Sequence, residues 1–74
     1  MTEERMANVA KVIELVGRSK TGWEDAANNA VTEASKTVTN ITGVEIISCT
    51  GSVVDGKITD YKANVKVAFG LTDR

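Results

Sequence analysis

The segment Tyr61–Phe69 limits the fold more than any other part of the chain. Its odd positions read Tyr61, Ala63, Val65, Val67 and Phe69, continuing to Leu71, and its even positions read Lys62, Asn64, Lys66, Ala68 and Gly70. Strict alternation is the signature of a β-strand that buries one face and leaves the other more polar. Just upstream, Asp55-Gly56 separates two strand-like runs, and this pair suits the two-residue turn of a hairpin. The run before it, Val44–Val53, reads as a strand, with Gly51 an expected bulge or bend. The last two strands are therefore expected to be antiparallel neighbours, the final one running to about Leu71.

The first half supplies one more strand and one helix. Val9–Val16 is short, rich in β-branched residues and ends at Gly17, as a strand does. Val12 and Val16 fall on one face, and Val9, Ile13 and Leu15 on the other. A strand apolar on both faces is expected where both sides of a sheet are covered. Ser19-Lys20-Thr21-Gly22 then leads into a helix. Thr21 with Glu24 fits a capping box, and Ser19 is a rival N-cap. Glu24 and Asp25 place negative charge where the helix dipole favours it. Trp23, Ala26, Ala27, Ala30, Val31, Ala34, Val38 and Ile41 recur every three or four residues as one stripe, which predicts a helix ending near Asn40. Its alanines permit a close approach to a sheet. The order is β-α-β-β, an α+β fold with one helix to cover a three-stranded antiparallel sheet.

Size decides what else is needed. A chain of 74 residues forms one domain with a thin core. Small domains add disulfides, metals or further copies of themselves. Cys49 is the single cysteine and histidine is absent, so an internal disulfide and a Cys/His zinc site are both excluded. Oligomerisation is the remaining route. The absence of histidine also excludes Cys-His and Ser-His-Asp machinery within the chain, and no glycine-rich phosphate loop occurs. The expectation is a protein that is not an enzyme.

A net charge of −1 argues against nucleic acid as the main partner. No apolar run approaches the roughly 20 residues of a membrane-spanning helix, so no membrane partner is expected. Met1-Thr2-Glu3-Glu4-Arg5 is unlike a signal peptide, and a lone thiol fits a reducing compartment, so a cytoplasmic location is expected. Residues 1–6 read as a disordered lead, with Met6 an alternative start and 7–74 the folded domain. Asn40-Ile41-Thr42 matches a glycosylation sequon by chance.

These elements, taken with particular residues, resemble the dodecin family. The likeness rests on Lys11–Gly17 as the first strand, Ser19, and the helix opening Trp23-Glu24-Asp25-Ala26-Ala27. It continues through Ala30-Val31 and Lys36-Thr37-Val38, and closes with Asp60-Tyr61 and Val65–Phe69. It spans nearly all of the chain after Met6. The resemblance implies a sheet partly wrapped around its helix, assembled as a hollow homododecamer that stores flavin (FMN or riboflavin) or a related planar ligand between subunits. It implies a flavin site at Gly43, Glu45, Tyr61 and Lys62. Flavin-binding members place a ring-stacking tryptophan where this chain has Gly43, and a ring-edge glutamine where it has Lys62. Loss of one aromatic platform, about 1–3 kcal/mol, weakens binding on the order of tenfold to a hundredfold. Lysine offers only donors, so it does not reproduce the mixed pattern of glutamine. The alternative is a dodecin-like cage that has lost flavin and holds Ca²⁺ or Mg²⁺, or serves as a scaffold.

Individual residues sharpen these expectations. Trp23 reads as packing on the sheet or on a neighbouring subunit, and Tyr61 as core with its hydroxyl at a boundary. Cys49 reads as a buried, inert thiol. Lys62 and Lys66 point the same way and read either as a solvated strand face or as an anion-attracting surface lining the flavin site of the relatives, in which case FMN would gain over riboflavin. Glu14, Glu45 and Asp60 could meet copies of themselves across a symmetry axis and hold a hard cation.

Overall fold

The computed structural model describes residues 10–70. The lead assigned to 1–6, Val9 at the start of the first strand and Leu71 at the end of the last lie outside them. The elements follow the expected order: β1 (Ala10–Ser19), α1 (Trp23–Ala34), β2 (Ile41–Val54) and β3 (Lys57–Gly70). They form one open antiparallel sheet in the order β1-β3-β2, with the alternating strand in the centre.

The centre of the sheet carries the core. Ala63, Val65 and Val67 of β3 are fully buried beneath Ala26, Ala27, Ala30 and Ala34 of α1. Ile13 and Leu15 of β1, with Val31, Val38 and Ile41, pack at the margin. The alanine stripe brings the helix very close. A Cβ built on Gly17 would stand 1.9 Å from the Ala26 carbonyl oxygen, so β1 needs glycine where the helix crosses it. The strand does not end there; it continues to Ser19.

The helix entry differs from a capping box. Gly22 is the N-cap and no side chain caps the first turn. Ser19 acts from outside the helix. Its Oγ accepts the Thr21 and Gly22 N–H groups at 2.9 and 3.4 Å and donates to Asp25 Oδ2 at 2.7 Å. The helix also ends at Ala34, earlier than Asn40. Ser35 Oγ donates to the Thr32 carbonyl and Thr37 Oγ1 to the Ala34 carbonyl, local bonds that compete with helix propagation. Val38 and Ile41 still reach the core, but from the connection and from β2. Asn40 turns the chain with φ of 63°, a conformation that asparagine tolerates better than most residues.

The β2–β3 hairpin closes as expected. Asp55 and Gly56 have φ of 53° and 76°, as a type I′ turn requires. Gly51 is not the bulge. The β2 register shifts lie between Ile41 and Gly43, Ile46 and Ser48, and Ser52 and Val53. Gly51 instead sits in a tight spot: an added Cβ would lie 3.0 Å from the Asp60 carbonyl oxygen and 3.2 Å from Ile58 Cγ2, with the Trp23 ring in ordinary contact at 3.6 Å. Trp23 donates its indole N–H to the Thr50 carbonyl at 2.8 Å and meets Tyr61 edge-on, ring centres 4.8 Å apart. Both aromatic residues thus tie the helix to the sheet.

The described chain is far from spherical. It measures 57 × 20 × 15 Å with a radius of gyration of 15.2 Å. A compact chain of this length would give about 11 Å. The helix lies over β1 and β3 and barely reaches β2. Val12, Val16, Val44, Ile46, Ile47, Val53, Val54 and Ile58 remain exposed. Cys49, expected to be buried, is exposed for the same reason: it sits on β2 beyond the cover of the helix.

Candidate functional site

The sheet face turned away from α1 is built in rungs, because directly paired residues share a face. One rung is Val12–Ala68–Gly43, the next Glu14–Lys66–Glu45, then Val16–Asn64–Ser48 and Arg18–Lys62–Thr50. This face is uncovered in a single chain. A shallow depression of about 200 Å³ opens across its first two rungs, lined by Val12, Gly43, Val44, Glu45, Lys66 and Ala68.

Gly43 forms part of this wall, and a Cβ at that position would meet nothing within 4 Å. The packing therefore leaves room for a side chain or for a ligand. Val12 and Ala68 supply apolar surface, Lys66 supplies donors and Glu45 acceptors. An aromatic ring system with a polar edge is complementary to that combination. One chain provides a single wall, so enclosure requires a second surface.

The four residues expected to hold flavin separate into two groups. Gly43 and Glu45 line the depression. Lys62 lies on the same open face but two rungs away, opposite Arg18 and Thr50. Tyr61 lies on the helix side, against Trp23. Reasoning from sequence missed Val12, Val44 and Ala68 as lining residues. Val12 carried a signal, since its strand is apolar on both faces and the helix can cover only one. Lys66 was noted for its charge, but its two carboxylate neighbours become visible only through the register.

The acids do not converge within one chain. Among the described residues no group of three or more acidic or cysteine side chains is placed to hold a metal ion. Asp60 is nearly buried and meets the Arg18 guanidinium at 3.5 Å. Glu14 and Glu45 flank Lys66. A hard cation would therefore have to draw carboxylates from more than one copy. No described helix is long and apolar enough to cross a membrane.

Comparison with known proteins agrees with this architecture. The dodecin family model matches residues 9–72. The dodecin of Thermus thermophilus is 31% identical over 68 residues, covering 92% of this chain and 99% of that protein. The calcium dodecin of Mycobacterium tuberculosis is 40% identical over 65 residues, covering 86% and 90%. Its crystal structure, described as that of a calcium-chelating antigen with a novel calcium-binding site, superposes with a TM-score of 0.73 at 37% identity, covering 86% of this chain and 91% of that one. The structure of dodecin from Streptomyces coelicolor gives a TM-score of 0.81 at 32% identity, covering 89% and 94%.

Proposed function

The chain belongs to the dodecin family, and on that premise we propose that it is a non-enzymatic protein that sequesters a planar ligand of the flavin class between copies of itself, in a homododecamer. The observation that carries this reading is the depression on the open sheet face, apolar across Val12 and Ala68 and polar at Glu45 and Lys66. A second copy closing over it would remove the ring from water. Isoalloxazine chemistry comes from the flavin itself when it is bound; the protein's residues bind, orient and shield it. Val12 and Ala68 offer the apolar contact, Lys66 and Glu45 the polar edge. Lys62 and Tyr61 stand too far along β3 to share this wall, and they would serve a ligand that extends along the face or one held by a neighbouring copy.

The open face also supports self-assembly. Asn64, in its middle, keeps a buried Oδ1 with no hydrogen-bond partner among the described residues, and Val16 opposite it and Val12 further along the face are more than half exposed. Cover from another copy would answer both. The reading is tested by titrating riboflavin and FMN against the purified assembly and following flavin fluorescence. Quenching with micromolar affinity supports it. No binding at a hundredfold higher concentration by an intact assembly rejects it.

A second reading is favoured by the 40% identity to a calcium dodecin. Here the cage holds Ca²⁺ at contacts between copies, with Glu14 and Glu45 the available carboxylates. A melting temperature that rises with Ca²⁺ and falls with chelator, in protein without bound colour, would establish it.

A further inference from the structure

We propose that the Glu14–Lys66–Glu45 rung makes the depression select an uncharged ring ligand over a phosphate-bearing one, so that riboflavin is held in preference to FMN. The inference rests on the planar-ligand reading above. Lys66 lies directly opposite Glu14 on one side and Glu45 on the other. Side chains in direct register have Cβ atoms about 4.5–5.5 Å apart. The lysine therefore stands between two carboxylates, and the rung carries one more negative charge than positive. Glu45 and Lys66 line the depression, and the adjoining Val12–Ala68–Gly43 rung carries no charge. Glu14, Glu45 and Lys66 are all exposed. Their sum, rather than one tight pair, is then what an approaching ligand meets.

The other charges on this face do not reverse that sum. Lys62 is four residues from Lys66 along β3, about 13 Å at the rise of a strand. That exceeds the screening length of about 8 Å at physiological salt. Arg18, in the same rung as Lys62, faces the Asp60 carboxylate at 3.5 Å. The register sets two carboxylates beside Lys66, and on this proposal they outweigh the attraction for phosphate expected of Lys62 and Lys66. A phosphate monoester brings about −1.5 to −2 charges near neutral pH. It would enter a field that already repels anions, whereas the isoalloxazine ring of riboflavin is neutral.

The test is a pair of fluorescence titrations, riboflavin and FMN, at physiological and at high ionic strength, with the size of the assembly verified. At physiological salt riboflavin should bind about twofold to fivefold more tightly than FMN, and added salt should narrow the gap. The double variant Glu14→Gln with Glu45→Gln leaves Lys66 unopposed and should invert the order. Should that variant fail to assemble, the salt series on the unaltered protein decides by itself. Equal or tighter binding of FMN at physiological salt overturns this inference and leaves the planar-ligand reading standing. Failure of an intact assembly to bind either flavin overturns both.

Discussion

Two glycines have opposite environments, and substituting each should give opposite results. At Gly17 the added methyl of Gly17→Ala would collide with the backbone carbonyl of Ala26 and press on Ala30. The helix must move, which costs about 1–3 kcal/mol. Thermal unfolding at fixed protein concentration should show a drop of several degrees. At Gly43 the same change meets open space. Gly43→Ala should leave the melting temperature nearly unaltered, within about 0.5 kcal/mol of stability. The space at Gly43 also gives a gain-of-function prediction. Gly43→Trp restores an aromatic platform beside the depression and should tighten flavin binding by about tenfold to a hundredfold. An unchanged dissociation constant would mean that the ring does not sit there. Gly17 illustrates what a sequence conceals at this scale. It reads as the end of a strand, and only the crossing of α1 reveals it as a packing position. Cys49 erred in the other direction, because a strand-embedded cysteine says nothing about where the helix stops covering the sheet.

At the scale of elements, period and turn chemistry were legible. The alternation from Tyr61 to Phe69 placed β3, and burial of Ala63, Val65 and Val67 follows that phase. Asp55-Gly56 placed the hairpin turn. Gly56→Ala would force a methyl group into φ of 76° and should destabilise the hairpin by about 1 kcal/mol or more, measured by thermal unfolding. Boundaries were less legible. The helix stripe continued in phase through Val38 and Ile41, so periodicity could not reveal that Ser35 and Thr37 end the helix with side-chain bonds. The Ser19 hydroxyl, which organises the helix entry through bonds to Thr21, Gly22 and Asp25, competed on equal terms with Thr21 in the sequence. The candidate site was half legible for a related reason. Gly43 and Glu45 are neighbours in sequence and stay together, whereas Tyr61 and Lys62 share a strand with Lys66 yet stand on a different face or a distant rung.

The whole molecule is incomplete as one chain. Among the described residues five of the seven buried in the core are alanines, and eight large apolar side chains stay exposed. Full burial of a valine contributes about 1.5–3 kcal/mol, so further stabilisation is available when copies cover the sheet. The protein should therefore lose structure when diluted or otherwise dissociated. Circular dichroism across a dilution series that crosses dissociation should follow the loss of assembled mass. The same dependence bears on the proposed flavin site. A site with one wall per chain comes into being with the assembly, so ligand binding and assembly should stabilise one another.

The most direct measurement is sedimentation velocity of the purified protein with riboflavin, followed at the visible absorbance of the flavin. A 7.9 kDa chain assembled as twelve copies has a mass of about 95 kDa. The account predicts that flavin absorbance moves with a single boundary of about that mass. Flavin remaining behind a fast protein boundary, or protein sedimenting as a well-folded single chain, would contradict it.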